Sequence, residues 1–139
     1  MTEARVEPVP PDVAEAKRRL AQARRHYDSA LVRGLDSESS YILLYSAAHN
    51  AATAALVATG RRVTSGDRAH AVLLGEAGRL LGPAGSGVVD RLDRARRQRN
   101  RVAYEAGEVT RAQLESLRKA AAEAIEAVKD FLEMREGAG

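Results

Sequence analysis

The sequence predicts an all-α fold, an antiparallel bundle of four or five helices without strands. Three observations carry this expectation. Apolar residues recur at alternating steps of three and four, which puts them on one face of a helix. The apolar content is mostly Ala, Leu and Val, with aromatics at 4%, whereas sheets favour β-branched and aromatic residues. Short stretches of Gly, Ser, Asp and Thr separate the periodic segments, so neighbouring helices should connect tightly and run antiparallel.

The leader, residues 1–11, is acidic and holds Pro8, Pro10 and Pro11, which fix φ and remove backbone donors, so a disordered or extended segment is expected. The bundle itself is expected over 12–134 and a frayed tail over 135–139. The first helix, 12–31, carries Val13, Ala16, Leu20, Ala23, Tyr27 and Ala30 on one stripe, and Gly34 follows it as a stop. The second, 37–59, opens with Asp36 or Ser37 as its cap and ends at Gly60. Its middle is apolar nearly all round, the mark of a helix at the centre of a bundle. The third, 67–81, has Ser65 or Asp67 as possible caps, and Gly75 and Gly78 either weaken it or mark close helix approach. Residues 82–87, Gly-Pro-Ala-Gly-Ser-Gly, read as the clearest loop. The fourth helix spans 88–104. The fifth spans 111–134 and carries Leu114, Leu117, Ala121, Ala124, Val128 and Phe131 on one stripe.

Composition excludes several chemistries. The chain has no cysteine, so disulfides, thiol catalysis and Cys-type zinc sites are ruled out, and a cytoplasmic location fits. The 22 Lys and Arg face 19 Asp and Glu, a net charge of +3, so most charges are interspersed with their opposites. No apolar run reaches membrane-spanning length, and no membrane association is expected. The glycines of 82–87 lack the Lys-Ser/Thr of a phosphate loop, and no nucleophile elbow is present.

The fourth helix is the informative one. Arg91, Arg94, Arg96, Arg97, Arg99 and Arg101 share it with one interior acid, Asp93. At about 100° per residue, Val88, Leu92, Ala95, Arg99 and Val102 fall on one side, so Arg99 stands in the apolar stripe. A guanidinium there must be paired, or must face a cleft or interface that water reaches. Arg96, Asn100 and Tyr104 lie along one edge of that stripe. The plainer reading keeps Arg99 as a salt-bridged core-edge residue, Tyr104 as a core-edge tyrosine and the other arginines as a solvated face.

The run Arg99-Asn100-Arg101-Val102-Ala103-Tyr104 resembles the late-helix motif of HEPN domains, in which an Arg, often followed by Asn, precedes a His a few residues on. The resemblance covers about residues 14–132 and includes the order of the helices. It implies a small helical bundle that dimerises through the motif helices and, in many members, a metal-independent ribonuclease site at the dimer interface, with no cofactor. It gives Arg99 phosphate binding and transition-state charge stabilisation, Asn100 an orienting hydrogen bond, and Arg96, Arg97 and Arg101 further RNA contacts. It also suggests a toxin–antitoxin role with a nucleotidyltransferase-type antitoxin as partner. The chain departs from the motif where Tyr104 holds the His position. Tyrosine, with an ordinary pKa near 10, is a poor base at neutral pH. RNA binding is therefore expected to survive better than cleavage.

Three histidines lie outside the motif. His26 reads as solvated, His49 as a hydrogen-bonded core residue and His70 as a surface residue, and His49 beside Asn50 in an apolar helix is the reserve candidate for chemistry. They do not have metal-ligand spacing. Two other functions compete with RNA binding. One is a non-enzymatic helical interaction or dimerisation module. The other is a DNA binder using the arginine-rich helix, which no helix-turn-helix turn precedes.

Overall fold

A computed structural model describes residues 2–138 as five helices and one small antiparallel ribbon. The helices are α1 (Val13–Ala30), α2 (Ser37–Ala58), α3 (Ala69–Leu81), α4 (Pro83–Tyr104) and α5 (Arg111–Ala138). The all-α bundle is as the apolar periodicity predicts. Its caps follow from side-chain chemistry. The Asp12 carboxylate accepts from the Glu15 amide at 2.9 Å, and Asp36 accepts from the Ser39 amide at 2.9 Å. Thr110 and Gln113 cap α5 reciprocally, the Gln113 amide donating to Thr110 Oγ1 at 3.1 Å and the Thr110 amide to Gln113 Oε1 at 3.0 Å.

α2 occupies the centre. On one side Ala47, Ala51, Ala54, Ala55 and Ala58 form an apolar cluster with Ala16, Leu20 and Ala23 of α1 and Val128 and Leu132 of α5. On the other, Tyr41, Leu44, Tyr45 and Leu56 pack with Leu74 of α3, Leu92 of α4 and Leu117 of α5. Among the described residues α2 alone is long and apolar enough to cross a membrane, and most of it is buried inside the bundle.

The expectation of a bundle without strands is corrected at the leader. β1 (Val6–Pro8) pairs antiparallel with β2 (Arg61–Val63), Val6 opposite Val63 and Pro8 opposite Arg61. The ribbon is stitched on by backbone bonds. The Val9 amide donates to the Gly60 carbonyl at 2.9 Å, and the Asp12 amide to the Val57 carbonyl at 3.1 Å. Gly60 holds φ at +75°, and a Cβ there would stand 2.5 Å from the Val9 carbonyl oxygen. A bare α-carbon is what lets the leader lie against the end of α2. Met1 lies outside the described residues.

Three helix boundaries also differ from expectation. α3 starts at Ala69 behind Arg68, whose φ is +62°, and has no side-chain cap. Asp67, an expected cap, instead accepts from the Ala4 amide at 2.9 Å and donates its own amide to the Thr2 carbonyl at 3.1 Å. The expected loop over 82–87 is mostly the first turn of α4. Gly82 makes the turn at φ +64°, and Pro83, which lacks an amide hydrogen, sits in the first turn where that loss costs nothing. Gly85 belongs to helix packing, since a Cβ there would meet Leu81 Cβ at 2.6 Å, and Gly78 faces Val89 of α4 in the same way at 3.1 Å. Finally, α5 runs on through the expected tail to Ala138, with Glu136 ion-paired to Lys17 of α1; Gly139 lies outside the described residues.

Candidate functional site

The Gly82-Pro83 turn folds α4 back along α3, which sets the first turn of α3 beside the last turns of α4. α2 runs behind both and offers Tyr45 and His49, four residues apart and therefore on one face. The gap between these elements is an open depression of about 510 Å³, lined by Arg68 and His70 from the start of α3 and by Arg96, Arg99, Asn100 and Tyr104 from α4.

The stripe on α4 behaves as its geometry requires. Val88, Leu92, Ala95 and Val102 are buried, and Arg99 between them is only half-buried. Arg99 has no carboxylate within ion-pairing distance among the described residues. Its Nη1 donates to Asn100 Oδ1 at 3.2 Å, its guanidinium lies 5.7 Å from the Tyr104 ring centre, and its buried Nε has no partner. Arg96 keeps a bond from Nε to Asp93 Oδ1 at 3.3 Å. Tyr104 is 76% exposed, a tyrosine at the rim of the depression.

The structure adds His70 to the residues read from the sequence. Its ring stacks on Tyr45, with centroids 6.0 Å apart and planes 12° apart, and the Tyr45 hydroxyl lies 3.3 Å from His70 Nδ1. His49 packs behind it, the two imidazole centroids 4.7 Å apart. This corrects two expectations. His70 is half-buried in the depression and not a plain surface residue, and the His49 ring makes no hydrogen bond among the described residues. His26, expected to be solvated, lies with Nδ1 3.4 Å from Asn50 Nδ2, so the polar pair within α2 serves two different sides of the helix.

The electrostatics follow from burial beside cations. Burial holds His49 down to about 4, with the neighbouring His70, Arg99 and Arg19 adding to the effect. His70 is lowered by the same burial and by Arg99 and Arg96. Burial pushes Tyr45 up to about 12. The site therefore holds three guanidinium groups, Arg68, Arg96 and Arg99, and the Glu105 side chain beside two imidazoles that are uncharged at neutral pH.

Arg96, Arg99, Asn100 and Tyr104 thus come together, whereas Arg97 and Arg101 do not join them. Arg97 is exposed and reaches toward Asp93 at 3.8 Å. Arg101 donates to Gln98 Oε1 and lines a separate cavity of about 420 Å³ with Tyr41, Arg91 and Arg94. Gln98, which the stripe did not single out, is only 7% exposed, and its Nε2 donates to the Glu108 carbonyl at 2.8 Å. This bond ties the segment after α4 back onto the helix. Among the described residues no group of three His, Asp or Glu is placed to hold a metal ion. Comparison with protein-family models, with curated proteins and with solved structures returns no match.

Proposed function

We propose that the protein binds RNA in the manner of a HEPN domain, with the phosphate backbone held at the depression between α3 and α4. One observation supports this most: Arg99, half-buried in an apolar stripe, has no carboxylate within ion-pairing distance among the described residues and opens onto a cavity it shares with Arg96, His70 and Glu105. A guanidinium so placed is a ready donor to a phosphate oxygen, and its fork suits two-point contact. Asn100 orients it through the 3.2 Å bond.

Cleavage in this reading is weak or absent. His70, uncharged at neutral pH, can accept the proton of an attacking hydroxyl. The second imidazole of the motif is missing, because Tyr104 stands at the His position and His49, held down to about 4, is not protonated at neutral pH. By the HEPN resemblance, two copies pair through α4, a nucleotidyltransferase-type antitoxin is the partner in a toxin–antitoxin pair, and the setting is the cytoplasm.

The test is binding of fluorescently labelled single-stranded RNA by anisotropy over a salt series. Affinity that falls with salt, and falls further in Arg99→Ala, supports the proposal. An unchanged affinity in Arg99→Ala overturns it. A non-enzymatic interaction module is then the better reading, and it has its own observation in the exposed Leu31, Val32 and Leu35 between α1 and α2.

A further inference from the structure

A second cavity, of about 460 Å³, lies between α2, α3 and the leader with its ribbon. Its walls include Val9, Leu56, Val57 and Leu73, and β2 supplies Arg61 and Arg62. This volume is in the range usual for small-molecule sites, roughly 300–1,000 Å³. Two features show what it would receive. His49 stands in its wall with a ring that no described residue hydrogen-bonds, so a donor and an acceptor nitrogen remain free in a wall that mixes apolar side chains with Arg19, Thr53, Thr64 and Ser65. His70 and Ala69 line both this cavity and the depression holding Arg96 and Arg99, so the two spaces adjoin across a single imidazole.

We propose that this cavity is a base pocket: single-stranded RNA whose phosphate rests on Arg96 and Arg99 turns the neighbouring base past His70 and into the space beside His49. The proposal rests on the phosphate reading of Arg99. A nucleobase matches the cavity because it combines a flat apolar face with donors and acceptors on its edge. Unstacked bases of single-stranded RNA are commonly taken up on aromatic and histidine rings in this way. Arg61, ion-paired to Glu76 at 3.2 Å, and Arg62, bonded to Glu7 at 2.8 Å, border the cavity on the β2 side. Gly60 holds the leader wall in place, so the pocket exists because that α-carbon carries no side chain.

The test compares a short oligoadenylate with a strand of the same length made of abasic ribose phosphates. Wild-type protein binds the oligoadenylate roughly tenfold more tightly, the scale of one stacked base. Thr53→Phe fills the cavity from α2. Thr53 Oγ1 donates only to the His49 carbonyl of its own helix, so the change breaks no link between helices. The variant binds oligoadenylate no better than the abasic strand and leaves abasic affinity unaltered, whereas Arg99→Ala weakens both. Replacing one adenine by 2-aminopurine gives a readout that needs no variant, because its fluorescence changes on binding when a base leaves the stack for the cavity. Equal wild-type affinity for the two strands, both still dependent on Arg99, overturns the base pocket and leaves the phosphate site standing. Failure of both strands to bind wild type overturns the phosphate reading and the pocket with it.

Discussion

His49 and His70, from the middle of α2 and the first turn of α3, lie with their rings 4.7 Å apart beneath Arg99 and share one desolvated, cationic environment. Each imidazole is easier to protonate in the unfolded chain, where its ordinary value is about 6.5.

This predicts a stability that falls on acidification. The folded value of His49 is depressed, so between pH 6.5 and about 4 the unfolded state binds more protons, and stability rises with pH across that window. Full neutralisation contributes about 3 kcal/mol at pH 7 from His49 alone, most of it gone near pH 4. Urea midpoints at pH 7 and pH 5 should differ accordingly, and His49→Phe should flatten the difference. Equal slopes in wild type and variant would show that His49 is not responsible.

Burial lowers both imidazoles most, and Arg99 is a neighbouring cation that lowers both further. Arg99→Ala should therefore raise the pKa of His49 and of His70, readable by NMR titration with no RNA present. With RNA, affinity should drop roughly tenfold and the salt dependence should lose about one phosphate contact. The fold should persist, because the variant removes a buried Nε that has no partner.

Glycine substitutions should separate two kinds of position. Gly60→Ala forces a Cβ against the Val9 carbonyl at positive φ and should cost about 2 kcal/mol or more. It should also speed hydrogen exchange at the Val9 and Asp12 amides, which hold the leader to α2. Gly75→Ala, inside α3 with nothing within 4 Å of the added carbon, should instead stabilise by about 1 kcal/mol. Thermal melts of both variants measure the contrast.

The helices were legible because burial in a bundle writes a period into the sequence. Val88, Leu92, Ala95 and Val102 are buried as their spacing required, and the same spacing singled out Arg99. His70 was not legible, because its place depends on how tightly α3 turns into α4. The Gly82-Pro83 pair that makes this turn also reads as a loop when proline is taken as a breaker and not as a first-turn residue. The ribbon escaped for a similar reason. Pro8 argues against a strand in a sheet interior, yet it is tolerated at the end of a short edge strand. Asn50 and His49 look like one polar pair in sequence. The helix sends Asn50 toward His26 and His49 toward His70.

Tyr104 gives the remaining prediction. It stands at the rim of the depression, 76% exposed, with Arg99 5.7 Å from its ring centre, so it can be replaced without disturbing the core. Tyr104→His should leave RNA affinity within about twofold of wild type, since the phosphate contacts come from the arginines. It should raise metal-independent cleavage, because the site then holds two groups able to move protons near neutral pH. The 2′-hydroxyl attacks the adjacent phosphorus and its proton passes to uncharged His70. The bond to the leaving 5′-oxygen breaks, and that oxygen takes a proton from the imidazolium introduced at position 104. The products are a 2′,3′-cyclic phosphate and a 5′-hydroxyl, so atoms and charge balance without a cofactor. A bell-shaped pH profile should accompany the gain, and adding His70→Gln should abolish it while RNA still binds. Cleavage by Tyr104→His that survives His70→Gln would show that His70 does not take the proton, and a variant no more active than wild type would show that the depression lacks the geometry for in-line attack.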